Sequence, residues 1–158
     1  MKKVFTIVVA VIISQFASSQ SVYVAPSIGT FLNADIHKPL DMMGYSVEAG
    51  YCFGNEVCLG MNYGTLDLKN KVPFIQVRTG YTFLDRKKFS LSLGAGLGYA
   101  FRVNQLIGEG DLNVNIHLPK DVDFVLNFAN QVVYGIGYLP SINVGVVKYI
   151  SVKKKVKK

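Results

Sequence analysis

Charge is the first thing in short supply. Only 17% of the 158 residues are Asp, Glu, Lys or Arg, although half of the chain is hydrophobic; water-soluble domains carry roughly 25%. A disordered chain is excluded, because such chains are apolar-poor and charge-rich. A neighbour other than water is implied. The apolar run Val4 to Ile13 falls well short of the roughly 18 residues a helix needs to cross a bilayer. With two cysteines and two histidines, neither a disulfide-dense scaffold nor a clustered four-ligand metal centre is expected. Beyond the opening segment, helical periodicity is also missing.

The net charge of +7 is concentrated at the two ends. Lys2 and Lys3 at the start, and Lys153, Lys154, Lys155, Lys157 and Lys158 at the close, supply all of it. No basic groove remains for phosphates, so no nucleic-acid partner is expected. The opening MKKVFTIVVAVIISQFASSQ has lysines, an apolar run and small residues at Ala17, Ser18 and Ser19, the layout of a secretory signal peptide. The expected organisation is a signal peptide over 1–20, a folded unit over 21–151 and a basic periplasmic tail over 152–158.

What the chain has in abundance is alternation. In FSLSLGAGLGYAFR, Phe89 to Arg102, every second residue is bulky and apolar while the gaps hold mostly Ser and Gly. Successive side chains of a strand point to opposite faces. One face here is therefore apolar and the other nearly bare. Eight such segments are predicted: Ser21 to Leu32, Gly44 to Gly54, Val57 to Leu68, Pro73 to Leu84, Phe89 to Arg102, Asp111 to Leu118, Asp123 to Val133 and Ser141 to Ile150. Turn-forming residues separate them. The connections NADIHKPLDMM, VNQLIGEG and YGIGYLP read as longer loops, whereas those at Asn55, LDRKK and PKD read as compact turns.

On the other face of these segments lie Gly, Ser, Asn, Gln and a few charges. A soluble ligand-binding barrel needs the reverse, an apolar interior and a charged exterior. Aromatics also fall at two heights, with Tyr45, Tyr63, Tyr99 and Phe101 at one end and Tyr51, Phe53, Tyr81, Phe83, Phe89 and Phe124 at the other. Such belts flank the apolar band of membrane barrels. The expected fold class is all-β: an eight-stranded antiparallel up-and-down transmembrane β-barrel after a cleaved signal peptide.

The stretches GYSVEAGYCFG, FSLSLGAGLGYAFR, DLNVNIHL and SINVGVVKYI resemble those of small outer-membrane beta-barrel domain proteins, the eight-stranded OmpA/OmpX-like group. The resemblance implies an outer-membrane location with periplasmic termini, contact with outer-membrane lipids and lipopolysaccharide, handling by the barrel-assembly machinery, a monomer, and no cofactor. Members of the group usually end on an aromatic residue; here Tyr149 is followed by SVKKKVKK. Val147 reads as an extra residue whose bulge would turn Lys148 inward and Tyr149 outward.

Several inward residues are candidates for chemistry. Glu48 and Arg78 fall near mid-height and are expected to form a lumenal ion pair, hydrogen-bonded by Asn62 and Gln76, because unpaired charge there is costly. Arg102 and Asp111 flank the third loop and are expected to pair across the rim, for at most about 1 kcal/mol. Cys52 and Cys58 face each other across a short turn, which leaves a cross-strand disulfide and two free thiols both open. An acyl-transferring enzyme would group a histidine with a serine and an acid. His37 has Asp35 and Asp41 nearby but no matching serine, and His117 lies near the opposite end. The expected role is structural or surface-interacting without a catalytic centre or metal; the alternatives are a lipid A-modifying barrel enzyme and a minor solute pore.

Overall fold

The computed structural model describes residues 20–32, 43–54, 56–66, 71–135 and 137–151. The segment read as a signal peptide up to residue 19, the loop holding Asp35, His37 and Asp41, and the lysine tail lie outside them. The strands are β1 (Gln20–Phe31), β2 (Met43–Phe53), β3 (Val57–Thr65), β4 (Pro73–Asp85), β5 (Phe89–Ala100), β6 (Gln105–Leu118), β7 (Val122–Val133) and β8 (Gly137–Ser151). Each is antiparallel to the next, and β8 pairs back onto β1. The result is a closed eight-stranded barrel whose two described termini lie at one end, called here the terminal end.

Alternation sets the two faces. Along β7, Phe124, Phe128 and Val132 are exposed, while Asp123, Val125, Asn127, Ala129, Gln131 and Val133 are buried. The same inversion runs round the barrel, with Val47, Met61, Val77, Leu93, Leu97, Leu112 and Val144 all outside. Tyr45, Tyr63, Phe101, Tyr134 and Tyr138 ring the loop end of that band; Tyr81, Phe83, Phe89 and Phe124 ring the terminal end. This is the exterior of a transmembrane barrel.

Three expectations about strand limits are corrected. The VNQLIGEG stretch is not a loop: β6 begins at Gln105, leaving only residues 101–104 as a turn. Gly108 and Gly110 there continue the outward face of the strand, and Asn104 takes the left-handed conformation (φ 55°) that Asn tolerates better than most residues. YGIGYLP likewise belongs mostly to β8, which starts at Gly137. The extra residue is not Val147. Register with β7 runs evenly through it and register with β1 is the same on either side of it, Val147 and Tyr149 point inward, and Lys148 is exposed. Among the described residues the register shift falls in β4, between Thr82 and Leu84, where Phe83 stays on the outer face.

One discontinuity interrupts the closing seam. Pairing of β1 with β8 passes from Val24↔Lys148 to Ser27↔Gly145, skipping Ala25 and Pro26. Proline has no N–H to give to a ladder. On its other side Pro26 stays in register with Val47 of β2.

If hydrocarbon wets the outer face, position along the strand decides what a charge costs. Met61→Arg, at the middle of β3, should destabilise the barrel by about 2–4 kcal/mol, and Leu106→Arg, at the loop end of β6, by less than about 1 kcal/mol. Urea unfolding from lipid vesicles, followed by tyrosine fluorescence, measures both. Equal costs would contradict the membrane orientation of this face.

Candidate functional site

The lumen is filled in layers. At the loop end, Phe31, Leu66, Phe74, Ala100, Ile107 and Val133 form a buried apolar cluster. At the terminal end Tyr23, Cys52, Val125 and Val147 form a second, with Cys58 and Tyr149 packed against it. Charge occupies the height between them.

Its centre is Arg78 on β4. Nη1 donates to Glu48 Oε2 on β2 at 2.8 Å; Nη2 donates to Asp111 Oδ2 at 2.5 Å and forms an ion pair with Glu109 Oε1 at 3.0 Å, both on β6. One side chain thus ties together strands two places away on either side. The carboxylates have further donors. The Tyr23 hydroxyl donates to Glu48 Oε1. Gln131 Nε2 at 2.7 Å and Gln76 Nε2 at 3.4 Å both donate to Glu109 Oε2. Asn127 Nδ2 donates to Asp111 Oδ1 at 3.1 Å, and an amide relay runs on through Asn143 Nδ2 to Asn127 Oδ1 at 2.8 Å.

Glycines make room for this cluster. In register, Arg78 stands between Gly60 on β3 and Gly96 on β5. A Cβ at Gly96 would meet Gln76 Nε2 at 2.6 Å and Arg78 Cγ at 3.0 Å; at Gly60 it would strike the Tyr23 hydroxyl, and at Gly94 the Asp111 carboxylate. The bare face of the Phe89 to Arg102 stretch is therefore the space taken by charges from neighbouring strands. A cavity of about 590 Å³ runs beside the cluster, lined by Tyr23, Ser27, Glu48, Arg78, Asn113 and Asn127 among others.

Of the expected site residues, Glu48 and Arg78 meet directly. Gln76 hydrogen-bonds Glu109 rather than that pair. Asn62 is buried opposite Glu48 in register, but its carbonyl oxygen has no partner, and among the described residues it bonds neither Glu48 nor Arg78. The rim pair is corrected: Asp111 is seventh in β6 rather than first, so it lies deep in the lumen on Arg78, while Arg102 sits exposed in the turn beyond β5. Cys52 and Cys58 are joined by a disulfide across the β2–β3 hairpin. His117 faces two acids at the terminal end, Nδ1 to Asp123 at 2.9 Å and Nε2 to Asp85 at 3.4 Å.

Sequence reasoning missed Glu109, Tyr23, Asn127 and Gln131. Glu109 stands in a Gly-Glu-Gly run that reads as a loop, yet Gln105, Ile107, Glu109 and Asp111 continue the period-two pattern. That continuity was the available signal.

One guanidinium balances three carboxylates here, so removing either sign should have unequal effects. Arg78→Ala leaves three buried acids uncompensated and should cost about 3–5 kcal/mol. Glu109→Gln keeps the shape and reduces the negative excess, and should cost less than about 1 kcal/mol. Urea midpoints of the two variants in the same lipid test this. A larger loss for Glu109→Gln would refute the view of Arg78 as the hub.

No family model and no curated protein matches the sequence. Solved structures do. The N-terminal β-barrel domain of Pseudomonas aeruginosa OprF matches with a TM-score of 0.68 at 14% identity, covering 84% of this chain and 100% of that one. A de novo designed transmembrane β-barrel matches with 0.63 at 14%, covering 84% and 95%. The Yersinia pestis outer membrane protein Ail, determined in a phospholipid bilayer nanodisc, matches with 0.55 at 9%, covering 82% and 99%. At such identities the likeness is one of fold: this chain has the eight-stranded fold shared by these transmembrane barrels.

Proposed function

We propose that the protein is a small integral outer-membrane barrel with a structural or surface-interaction role, exported by its first 20 residues, with both ends in the periplasm. The observation that carries this reading is the inversion of the faces: bulky apolar side chains outside, charge and amides inside. Such a surface needs lipid around it. Its partners on this reading are outer-membrane lipids, lipopolysaccharide and the barrel-assembly machinery, and the folded form is a monomer.

The interior speaks against the two alternatives. A pore needs a continuous water path, yet Arg78 reaches acids on β2 and β6, and the loop end of the lumen is packed with Phe31, Phe74, Ile107 and Val133. Eight strands enclose no wide channel, and the cavity of about 590 Å³ beside the cluster abuts Phe31 and Phe74 at the loop end. For acyl transfer, a histidine must take the proton of a nucleophile. Both ring nitrogens of His117 already face carboxylates, and among the described residues no serine hydroxyl hydrogen-bonds it.

The test is fractionation followed by reconstitution. The protein should leave cell envelopes only with detergent, should migrate differently on gels before and after boiling, and should show no steady conductance in a planar bilayer. Steady conductance would overturn the closed-lumen reading in favour of a pore. Recovery as a freely soluble monomer would overturn the membrane reading.

A further inference from the structure

Among the described residues, the cations of the terminal rim lie along the arc from β4 to β8. The β4–β5 turn presents Arg86, Lys87 and Lys88, the β6–β7 turn presents Lys120, and β8 presents Lys148, all exposed. Backbone hydrogen bonds join these into one edge: His117 N to Lys88 O at 2.9 Å links β6 to the first turn, and Tyr149 N to Asp121 O at 2.9 Å links β8 to the second. Of the acids nearby, buried Asp123 and exposed Asp85 are directed at His117, and Asp121 is exposed in the β6–β7 turn. Glu56 is exposed where this arc begins: its carbonyl on the β2–β3 turn accepts from Thr82 N of β4 at 2.7 Å.

Lys148 shows where the arc sits relative to lipid. It occupies an outward position between Val146 and Ile150, on the same face as the apolar band. Its ammonium does not stay there: Nζ donates to the Lys120 carbonyl in the adjoining turn. A long cationic side chain with its stem on apolar surface and its head drawn toward the polar side marks the edge of hydrocarbon. Phe83, Phe89, Leu118 and Phe124 are exposed at the same end of the band. The five cations therefore project at the level of lipid headgroups.

We propose that this arc binds the phosphates of anionic phospholipids in the leaflet at the terminal end. The proposal rests on the membrane reading above, which puts that end at the periplasmic leaflet. Lysines at headgroup level attract anionic lipid over zwitterionic lipid through charge alone, and salt screens the effect.

The full chain, reconstituted in phosphatidylcholine vesicles, is probed with spin-labelled phosphatidylglycerol or phosphatidylcholine, and the motionally restricted fraction of each is measured. The wild-type protein should favour phosphatidylglycerol by about threefold at low salt and show no preference in 1 M salt, where the screening length is about 3 Å. Lys87→Gln, Lys88→Gln, Lys120→Asn and Lys148→Gln combined should abolish the preference while the heat-modifiable barrel persists. A second variant, with the five tail lysines changed to Gln, should keep it. No preference in the wild type, a preference unchanged in the arc variant, or one lost in the tail variant alone would each overturn the proposal. A wild-type chain that forms no heat-modifiable barrel in lipid would overturn the membrane reading and the site together.

Discussion

A strand wetted by hydrocarbon has no water to bond its amides, so every backbone donor and acceptor must find its partner inside the protein. This requirement organises the rest of the molecule. An open sheet would leave two unpaired edges, and pairing of β8 with β1 removes both. Closing so few strands makes the lumen narrow. Narrowness then decides which side chains fit within it.

The interior answers that constraint with small residues beside large charged ones. Arg78 spans the lumen only because Gly60 and Gly96 flank it, and Asp111 reaches it over Gly94. Burying these charges is costly in itself, and a well-packed apolar filling would often be as stable. What the cluster supplies is connection. A single guanidinium joins β2, β4 and β6 at mid-height, where backbone pairing joins only adjacent strands.

Most of the architecture was legible because period two is a strong signal when one face is wholly apolar. The Phe89 to Arg102 stretch announced a strand, a lipid-facing side and an inner side lacking bulk. The middle of the lumen was half legible: Glu48 and Arg78 stood out as inward charges, but their real partners did not. Glu109 was hidden between two glycines, which mark turns in most sequences, whereas in a crowded barrel they continue a strand. Apolar residues facing inward were harder still. Val147 looked out of phase because alternation says nothing about the packed ends of a lumen, where Val147 and Tyr149 join Tyr23 and Cys52. Tyr23 and Tyr149 meet there with ring centres 6.3 Å apart.

Pro26 leaves a mark on the closing wall. The seam it interrupts is the one that unites the first strand with the last, and it lacks ladder partners at two successive positions where the other pairings from β5 to β8 run on without a gap. The circle is thus closed without a continuous ladder, its first and last strands held together by pairs on either side of a residue that has no N–H to give.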